Sequence, residues 1–304
     1  MSIRKLSFLV SLITADNDYQ IAQAASAEEL AGKLGVGVQV VFAQNDAVLQ
    51  CTQILKAVHG SPEARPDAVI FQPAGGTALP QVARAAVAAG LGWALLNRDA
   101  NYIEELQKTA AAPVFAITSD QVEIGRIQGR QMAALLPGGG EVLYIQGPAE
   151  NSAARERTAG MLETKPPNIQ TIMLNARWTR ESAQGSVRSW LKEITSQEPP
   201  IDLVAAQNDA MAMGARKAFQ ELPNESERDR WLKLPFTGCD GLPKTGAAWV
   251  LSGVLAATVF TPPNTGQAID MLVQAITKGK EQPERALTPV SSIPPLTELK
   301  PKSR

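Results

Sequence analysis

The feature that most constrains the fold is an apolar run that turns directly into a helical pattern, at residues 201–219. This stretch reads IDLVAAQNDAMAMGARKAF. The apolar run stops at Gln207 and Asn208, and apolar residues then recur at helical spacing. The pattern predicts a buried parallel strand, a polar turn and a helix that begins at Asp209 or Ala210. Asn208 therefore follows a strand end, where open α/β sheets bind ligands, although capping of the helix is an alternative role.

The same alternation of strands and helices runs along the chain. In the first half we predict strands at residues 5–13, 36–43, 68–71, 93–96 and 114–117, with helices at 19–34, up to 59, 77–89 and up to 136. In the second half we predict strands at residues 141–145, 171–174, 201–206, 234–237 and 254–260, with helices from 152, up to 195, from 209, a short one after 241 and up to 278. A proline-rich tail is predicted from Thr288. This alternation predicts parallel sheets with helices on both faces, and the number of strands favours two similar doubly wound lobes.

The composition argues against several classes of protein. The net charge is −1 and the pI about 6.0, so the chain has no electrostatic footprint for nucleic acid. One histidine and two distant cysteines form no metal motif and no disulfide framework, and we expect no metal and no cofactor. No apolar run is long enough to span a bilayer, so we expect no membrane insertion. Arg4 and Lys5 precede a short apolar run, which predicts a first core strand rather than a signal peptide.

The candidate enzymatic groups are weak. Residues 73–77 follow a strand and open a helix, as an anion-binding loop would, but the P-loop lysine is missing and a tight turn is favoured. His59 ends a helix and has no orienting acid at a recognisable spacing. Cys239 stands next to Asp240, whose carboxylate would raise the pKa of the thiol, so a small buried residue is favoured over a nucleophile. We therefore expect a protein that is not an enzyme.

Polar side chains of both hydrogen-bonding senses collect at the predicted strand ends. They are Asn17, Gln72, Asn97, Arg98, Ser119, Asp120, Asn208 and Asp240, with the rings of Tyr19 and Trp178 nearby. Amides, carboxylates and guanidinium groups can each bridge neighbouring hydroxyls, and a ring can cover the C–H face of a sugar. The set favours a concave site for a small polyol. Helix capping, solvated charge and core packing are the alternatives for single residues.

Several segments resemble the type I periplasmic sugar-binding proteins, of the ribose-binding kind. The most specific is NSAARERTAGM at residues 151–161, with Gln146 and Gly147 just before it. Further similarity lies at residues 117–133, 205–219, 237–243 and 253–269, and the resemblance extends from Lys5 to about Val290. It implies an α/β fold of two doubly wound parallel-sheet lobes joined by a three-segment hinge, with crossings near Ser119, Thr261 and Thr288. Lobe 1 is expected at 1–118 plus 262–288, and lobe 2 at 119–261 plus 289–304.

The resemblance also implies which residues contact the ligand. They are Asn17 and Tyr19 in the first loop, Gln72, Asn97 and Arg98 in lobe 1, Ser119 and Thr261 at two crossings, and Arg157, Trp178, Asn208 and Asp240 in lobe 2. The chain departs from the family pattern at several of these places: Asn97 replaces an aspartate, Gln20 and Cys239 replace aromatic residues, Gln72 an asparagine and Thr261 a glutamine. Because such changes can alter which hydroxyls are accepted, we keep the carbohydrate class without naming ribose.

The resemblance implies a solute-binding protein that captures a small carbohydrate or polyol in a cleft between the lobes, for a sugar ABC transporter. We expect a monomer whose partner is a membrane permease. A soluble sugar sensor that signals to a kinase is the alternative, as is an effector-binding domain related to transcriptional regulators but without their DNA-binding module. The resemblance implies a periplasmic location; the absence of a recognisable signal peptide leaves the cytoplasm as the alternative.

Overall fold

The structure, a computed structural model, describes residues 5–75, 78–193 and 200–301. The chain forms two compact units, Met1–Ser119 with Pro263–Thr288 and Asp120–Pro262 with Pro289–Arg304. The lobe bounds expected from the sequence differ from these at Ser119 and Pro262. That the two units act as separate domains stays a prediction.

Strands and helices alternate along the chain. The first unit begins with β1 (Ser7–Leu12), α1 (Asp18–Leu34), β2 (Gly37–Phe42), α2 (Ala47–Val58), β3 (Ala68–Phe71), α3 (Pro80–Ala88), β4 (Gly92–Leu96), α4 (Tyr102–Thr109) and β5 (Val114–Ser119). The second unit holds α5 (Gln121–Leu135), β6 (Gly140–Gln146), α6 (Ser152–Thr164), β7 (Ile169–Asn175), α7 (Arg180–Glu193), β8 (Ile201–Ala206), α8 (Asp209–Gln220), α9 (Glu225–Leu232), β9 (Phe236–Asp240), α10 (Gly246–Leu251) and β10 (Ala257–Phe260). The chain returns to the first unit with α11 (Thr265–Lys278) and β11 (Arg285–Thr288), and β12 (Ser291–Ile293) and a short 3-10 turn (Leu296–Glu298) follow in the second.

Each unit is built on one sheet within the described residues. The first sheet has the strand order β11-β5-β4-β3-β1-β2, and its neighbouring strands are parallel. The second has the order β12-β10-β9-β8-β6-β7, and only the edge strand β12 runs antiparallel to its neighbour. Successive strands are added to one side of β1 and then to its other side in the first unit, and the same reversal occurs at β6 in the second. Such reversals are where open parallel sheets leave room for ligands beyond the carboxyl ends of their strands.

Side chains that alternate along the strands of the first unit enter two separate cores. Val10 and Ile70 face one way and pack with apolar residues of α1 and α11. Leu9, Val69 and Trp93 face the other way and pack with α2, α3 and α4. Apolar residues on both faces of a strand are typical of a parallel sheet that is covered on both sides.

The second unit repeats this arrangement. Leu143 and Val204 pack with α7 and α8, whereas Tyr144 and Leu203 pack on the opposite face with α5 and α6. The predicted α/β class with two doubly wound parallel sheets is therefore confirmed.

Four of the helices and strands were not expected from the sequence. They are α4, α9, β11 and β12, and the last lies, with the short 3-10 turn, in the stretch read as a proline-rich tail. One predicted strand is also too long, since residues 254–260 shorten to β10. Val254 and Leu255 donate their backbone N–H groups to the carbonyl of Trp249, so they close α10 instead of joining the sheet. The predicted helix start at Thr77 and helix end at Thr195 lie outside the described residues.

Candidate functional site

The N-terminus of α1 fixes the first loop of the first unit. Asn17 has an extended backbone and caps the helix, because its Oδ1 accepts hydrogen bonds from the backbone N–H groups of Tyr19 at 2.9 Å and Gln20 at 3.2 Å. Asparagine is among the best N-cap residues. The cap places Tyr19 and Gln20 next to the carboxyl end of β1.

An amide network joins this loop to the ends of β3 and β4. The Oε1 of Gln72 accepts from Gln20 Nε2 at 2.9 Å and from Asn97 Nδ2 at 3.3 Å. The Nδ2 of Asn97 also donates to the hydroxyl of Tyr19 at 3.3 Å. The structure thus brings together three residues that the sequence placed in separate loops, Tyr19, Gln72 and Asn97.

Two further amide side chains, those of Gln23 and Asn264, support this network and were not predicted from the sequence. Gln23 Nε2 donates to Asn264 Oδ1 at 2.7 Å, and Gln23 Oε1 accepts from the backbone N–H of Asn264 at 2.8 Å. Asn264 Nδ2 in turn donates to Asn97 Oδ1 at 2.8 Å. The sequence did contain a sign that Gln23 is buried, because Gln20 and Gln23 follow the spacing of the buried alanines Ala27 and Ala31 on one face of α1.

The remaining candidates of the first unit have partners within it. Arg98 donates to the carbonyl of Gly75 through Nη1. Ser119 is 1% exposed, and its hydroxyl lies 2.9 Å from that of Thr288. This bond ties β5 to β11 beside two of the places where the chain leaves the unit.

In the second unit, Arg157 is a buried cation with 8% exposure. Its Nε donates to Gln121 Oε1 at 2.8 Å, and its Nη1 donates to the backbone carbonyl of Gln207. The guanidinium carbon lies 5.3 Å from the centre of the Trp178 ring. A buried charge is costly unless it is solvated by polar groups, and here neutral oxygens and an aromatic face provide that solvation.

The Trp178 ring lies directly against the backbone of Gly147. A Cβ atom added to Gly147 would come within 2.2 Å of the ring. The backbone of Trp178 is left-handed, with φ of 64°. Close approach of ring and backbone explains why a glycine follows β6 here.

Gln207 is fully buried and organises the end of β8. Its Oε1 accepts from the N–H of Gly147 at 2.9 Å, and its Nε2 donates to the Thr158 hydroxyl at 2.9 Å and the Tyr144 hydroxyl at 3.1 Å. From the sequence, Gln207 was expected only to be part of a turn. Its side chain instead positions the helix that carries Arg157.

Asn208 takes the capping role that the sequence left open. Its Oδ1 accepts from the N–H of Met211 at 2.8 Å, and its Nδ2 donates to the carbonyl of Trp178 at 2.9 Å. With 4% exposure, the side chain is committed to holding α8 and the Trp178 loop. A direct contact between Asn208 and a ligand stays a prediction.

The end of β9 has an unusual backbone. Asp240 has φ of 117°, a value that L-residues rarely adopt, and its carbonyl accepts from the N–H of Thr261 at 3.0 Å. Thr261 is 2% exposed. The pKa of the neighbouring Cys239 thiol is raised to about 12, chiefly because burial disfavours the thiolate; Arg157 opposes this rise, and the carboxylates of Asp240 and Asp209 contribute to it.

The predicted residues are divided between the two units. Asn17, Tyr19, Gln72, Asn97, Arg98 and Ser119 belong to the first, and Arg157, Trp178, Asn208, Asp240 and Thr261 to the second. Among the described residues, histidine, cysteine and acidic side chains form no group of three that could hold a metal ion. No helix in that part of the chain combines the length and the apolar character needed to cross a membrane.

Comparison with known proteins gives concordant matches. The model of the periplasmic binding protein domain family matches residues 8–281. The ribose import binding protein RbsB of Escherichia coli is 26% identical over 252 residues, which cover 83% of this chain and 77% of that protein. A Rhizobium meliloti relative assigned to rhizopine binding is 30% identical over 191 residues, and the match spans 61% of this chain and 58% of that protein.

A solved structure shares the fold over nearly the whole chain. The Caulobacter myo-inositol binding protein bound to myo-inositol superposes with a TM-score of 0.75 and 25% identity, covering 94% of this chain and 92% of that one.

Proposed function

The chain belongs to the periplasmic binding protein family, and we propose that it captures a small carbohydrate or polyol with side chains contributed by both units. The first unit would supply Asn17, Tyr19, Gln72, Asn97, Arg98 and Ser119, and the second Arg157, Trp178, Asn208, Asp240 and Thr261. No bond is made or broken in this function.

The chemistry of the two groups supports a ligand with several hydroxyls. Each amide side chain of the first group offers both a donor and an acceptor, and a hydroxyl can form a hydrogen bond with either. The second unit adds a guanidinium fork, a carboxylate and the flat ring of Trp178. An aromatic face with a few placed polar groups is the usual composition of a site for a small polar ligand.

The observation that carries the proposal is the buried guanidinium of Arg157 against the partly buried ring of Trp178. The guanidinium is held by Gln121 and the carbonyl of Gln207, and the ring lies beside it. A cation buried at this depth needs a polar environment. A polyol hydroxyl against the guanidinium would add to that environment while a C–H face lies on the ring.

The relatives support the class of ligand, and the description of the family supports the place of action. One is a ribose import protein, and a solved relative holds myo-inositol. We accordingly propose that this chain serves uptake of its ligand through a membrane permease, and that it does so in the periplasm. A sensor that passes its state to a partner protein would use the same binding step.

The proposal is tested by thermal unfolding and calorimetry with D-ribose, xylitol and myo-inositol. We expect at least one compound to raise the melting temperature, because a ligand at 100 times its Kd stabilises the folded state by about 2.7 kcal/mol. Arg157→Ala should weaken that binding at least about tenfold, as loss of one charge-assisted hydrogen bond would.

Arg155→Ala is the matched control. Arg155 lies in the same helix but is exposed, and it donates only to the carbonyls of Ala149 and Glu150. It should bind like the wild type. If none of the compounds shifts the melting temperature, or if Arg157→Ala binds them as the wild type does, the proposal is wrong.

A further inference from the structure

The second unit contains a buried carboxylate near Asp240, that of Asp209. Asp209 is the first residue of α8 and is 3% exposed. Its Oδ2 accepts from the backbone N–H of Gly241 at 2.8 Å, and its Oδ1 accepts from the hydroxyl of Thr258 at 2.7 Å. The carboxylate therefore links α8 to the end of β9 and to β10.

Backbone approaches this carboxylate so closely that only glycine fits on two sides. A Cβ atom on Gly238 would lie 2.1 Å from Asp209 Oδ1, and one on Gly246 would lie 1.9 Å from Oδ2. Strand β9 and the first turn of α10 thus enclose the group. Enclosure in a dry site strengthens its hydrogen bonds and makes their loss costly.

The peptide that these contacts fix is the one that joins Asp240 to Gly241. Its carbonyl accepts from Thr261 N–H at 3.0 Å, and its N–H donates to Asp209. The carbonyl and N–H of a trans peptide point in opposite directions, so two hydrogen bonds on opposite sides set its plane. Asp240 is held at φ of 117° beside this plane, a strained conformation that persists only when its surroundings impose it.

We propose that Asp209 is the positioning residue for Asp240. By fixing the 240–241 peptide it determines the direction in which the Asp240 carboxylate is presented to a polyol hydroxyl. The inference rests on the proposed function, since it assigns a task to one of the proposed binding residues. Asp209 itself contacts protein groups and not the ligand.

The first test needs no ligand and measures amide hydrogen exchange at Gly241. Asp209→Asn leaves Gly241 N–H at best a neutral amide oxygen, which is a weaker acceptor than a carboxylate, so we expect protection of that amide to fall about tenfold. Asp202→Asn is the matched control, because Asp202 lies at the other end of β8 and accepts from the N–H of Glu141 at 3.0 Å. It should leave Gly241 protection unchanged.

Thr258→Val keeps the assignment testable if Asp209→Asn does not fold. It removes the hydroxyl that holds Oδ1 and leaves the carboxylate in place, so it should lower Gly241 protection by a smaller factor. Unchanged protection of Gly241 in a folded Asp209→Asn protein, or in Thr258→Val when the first variant is unfolded, would overturn the assignment.

The second test measures Kd for D-ribose, xylitol and myo-inositol in a double-mutant cycle. We expect Asp209→Asn and Asp240→Asn each to weaken binding about tenfold and the double variant to bind no more weakly than Asp240→Asn, because both changes remove one interaction. Asp202→Asn should bind like the wild type. A double variant weaker by the product of the two effects would mean that Asp209 acts independently of Asp240 and would contradict the inference. If the wild type binds none of the three compounds, the proposed function fails, and the exchange measurement still judges the role of Asp209.

Discussion

Burial governs the chemistry of Cys239 more than its neighbouring charges do. The residue has no exposed surface, and its pKa rises to about 12 because the thiolate would be poorly solvated there. The sequence predicted the direction of this shift from the adjacent Asp240, but burial is the larger cause. The thiol is therefore protonated at neutral pH and is a packing residue of the second unit.

This shift makes the stability of the protein depend on alkaline pH. Above the ordinary thiol pKa near 9.0 the unfolded chain releases the Cys239 proton, whereas the folded chain keeps it up to about pH 12. The unfolded state then binds fewer protons, so the free energy of unfolding falls as pH rises, by up to about 1.4 kcal/mol per pH unit. Guanidinium unfolding over this range should show a shallower fall for Cys239→Ala. An equal slope in the variant and the wild type would contradict the account.

At the scale of single residues, the sequence predicts contacts between neighbours in the chain well and contacts between distant residues poorly. The cap at Asn208 could be foreseen because the predicted helix begins directly after it. The partners of Gln23 could not, since Gln23 meets Asn264 across 241 residues of chain. Buried amides carry no periodic signal that names their partners, and only the fold brings those partners together.

Helices α5 and α6 touch through their backbones, and this contact places Arg157. A Cβ atom on Gly125 would lie 2.0 Å from the carbonyl oxygen of Arg157, and one on Gly160 would lie 2.0 Å from that of Val122. Each glycine of this pair therefore lets the opposite helix approach. The resemblance to a known segment located Arg157, but the helix contact that sets its depth is visible only in the structure.

Gly125→Ala should separate these helices. Overpacking of this kind costs about 1–3 kcal/mol of unfolding free energy, and displacement of Arg157 should also weaken polyol binding. Gly32→Ala is the control, because Gly32 lies in α1 with no atom within 4 Å of an added Cβ. It should stabilise the protein by up to about 1 kcal/mol. Denaturant unfolding and calorimetry measure both effects, and a Gly125→Ala protein as stable as the wild type would contradict this packing account.

The central strands have strong apolar patterns and were predicted, whereas two elements with weak patterns, α9 and β12, were missed. The central strands are continuous apolar runs, which is typical of parallel strands covered on both faces. Helix α9 buries only Trp231 among its eight residues, so its sequence contains no row of apolar residues at helical spacing. Strand β12 is three residues long and lies between Pro289 and Pro294 in the tail, and its pairing with β10 depends on the fold.

At the scale of the whole molecule, each unit repeats one design. The strand order reverses at β1 in the first sheet and at β6 in the second, and most of the candidate residues lie at or just after the carboxyl ends of strands in these sheets. The sequence predicted this design because strands, helices and polar strand ends recur in the same order. It could not name the ligand, because the choice among polyols depends on the exact directions of a few donors and acceptors.

The most direct measurement is the crystal structure of the protein in complex with whichever of D-ribose, xylitol and myo-inositol binds most tightly. The account predicts a single bound molecule whose hydroxyls contact Asn17 or Arg98 of the first unit and also Arg157 and Asp240 of the second. A molecule held by the residues of one unit alone, or bound away from Arg157, would contradict it.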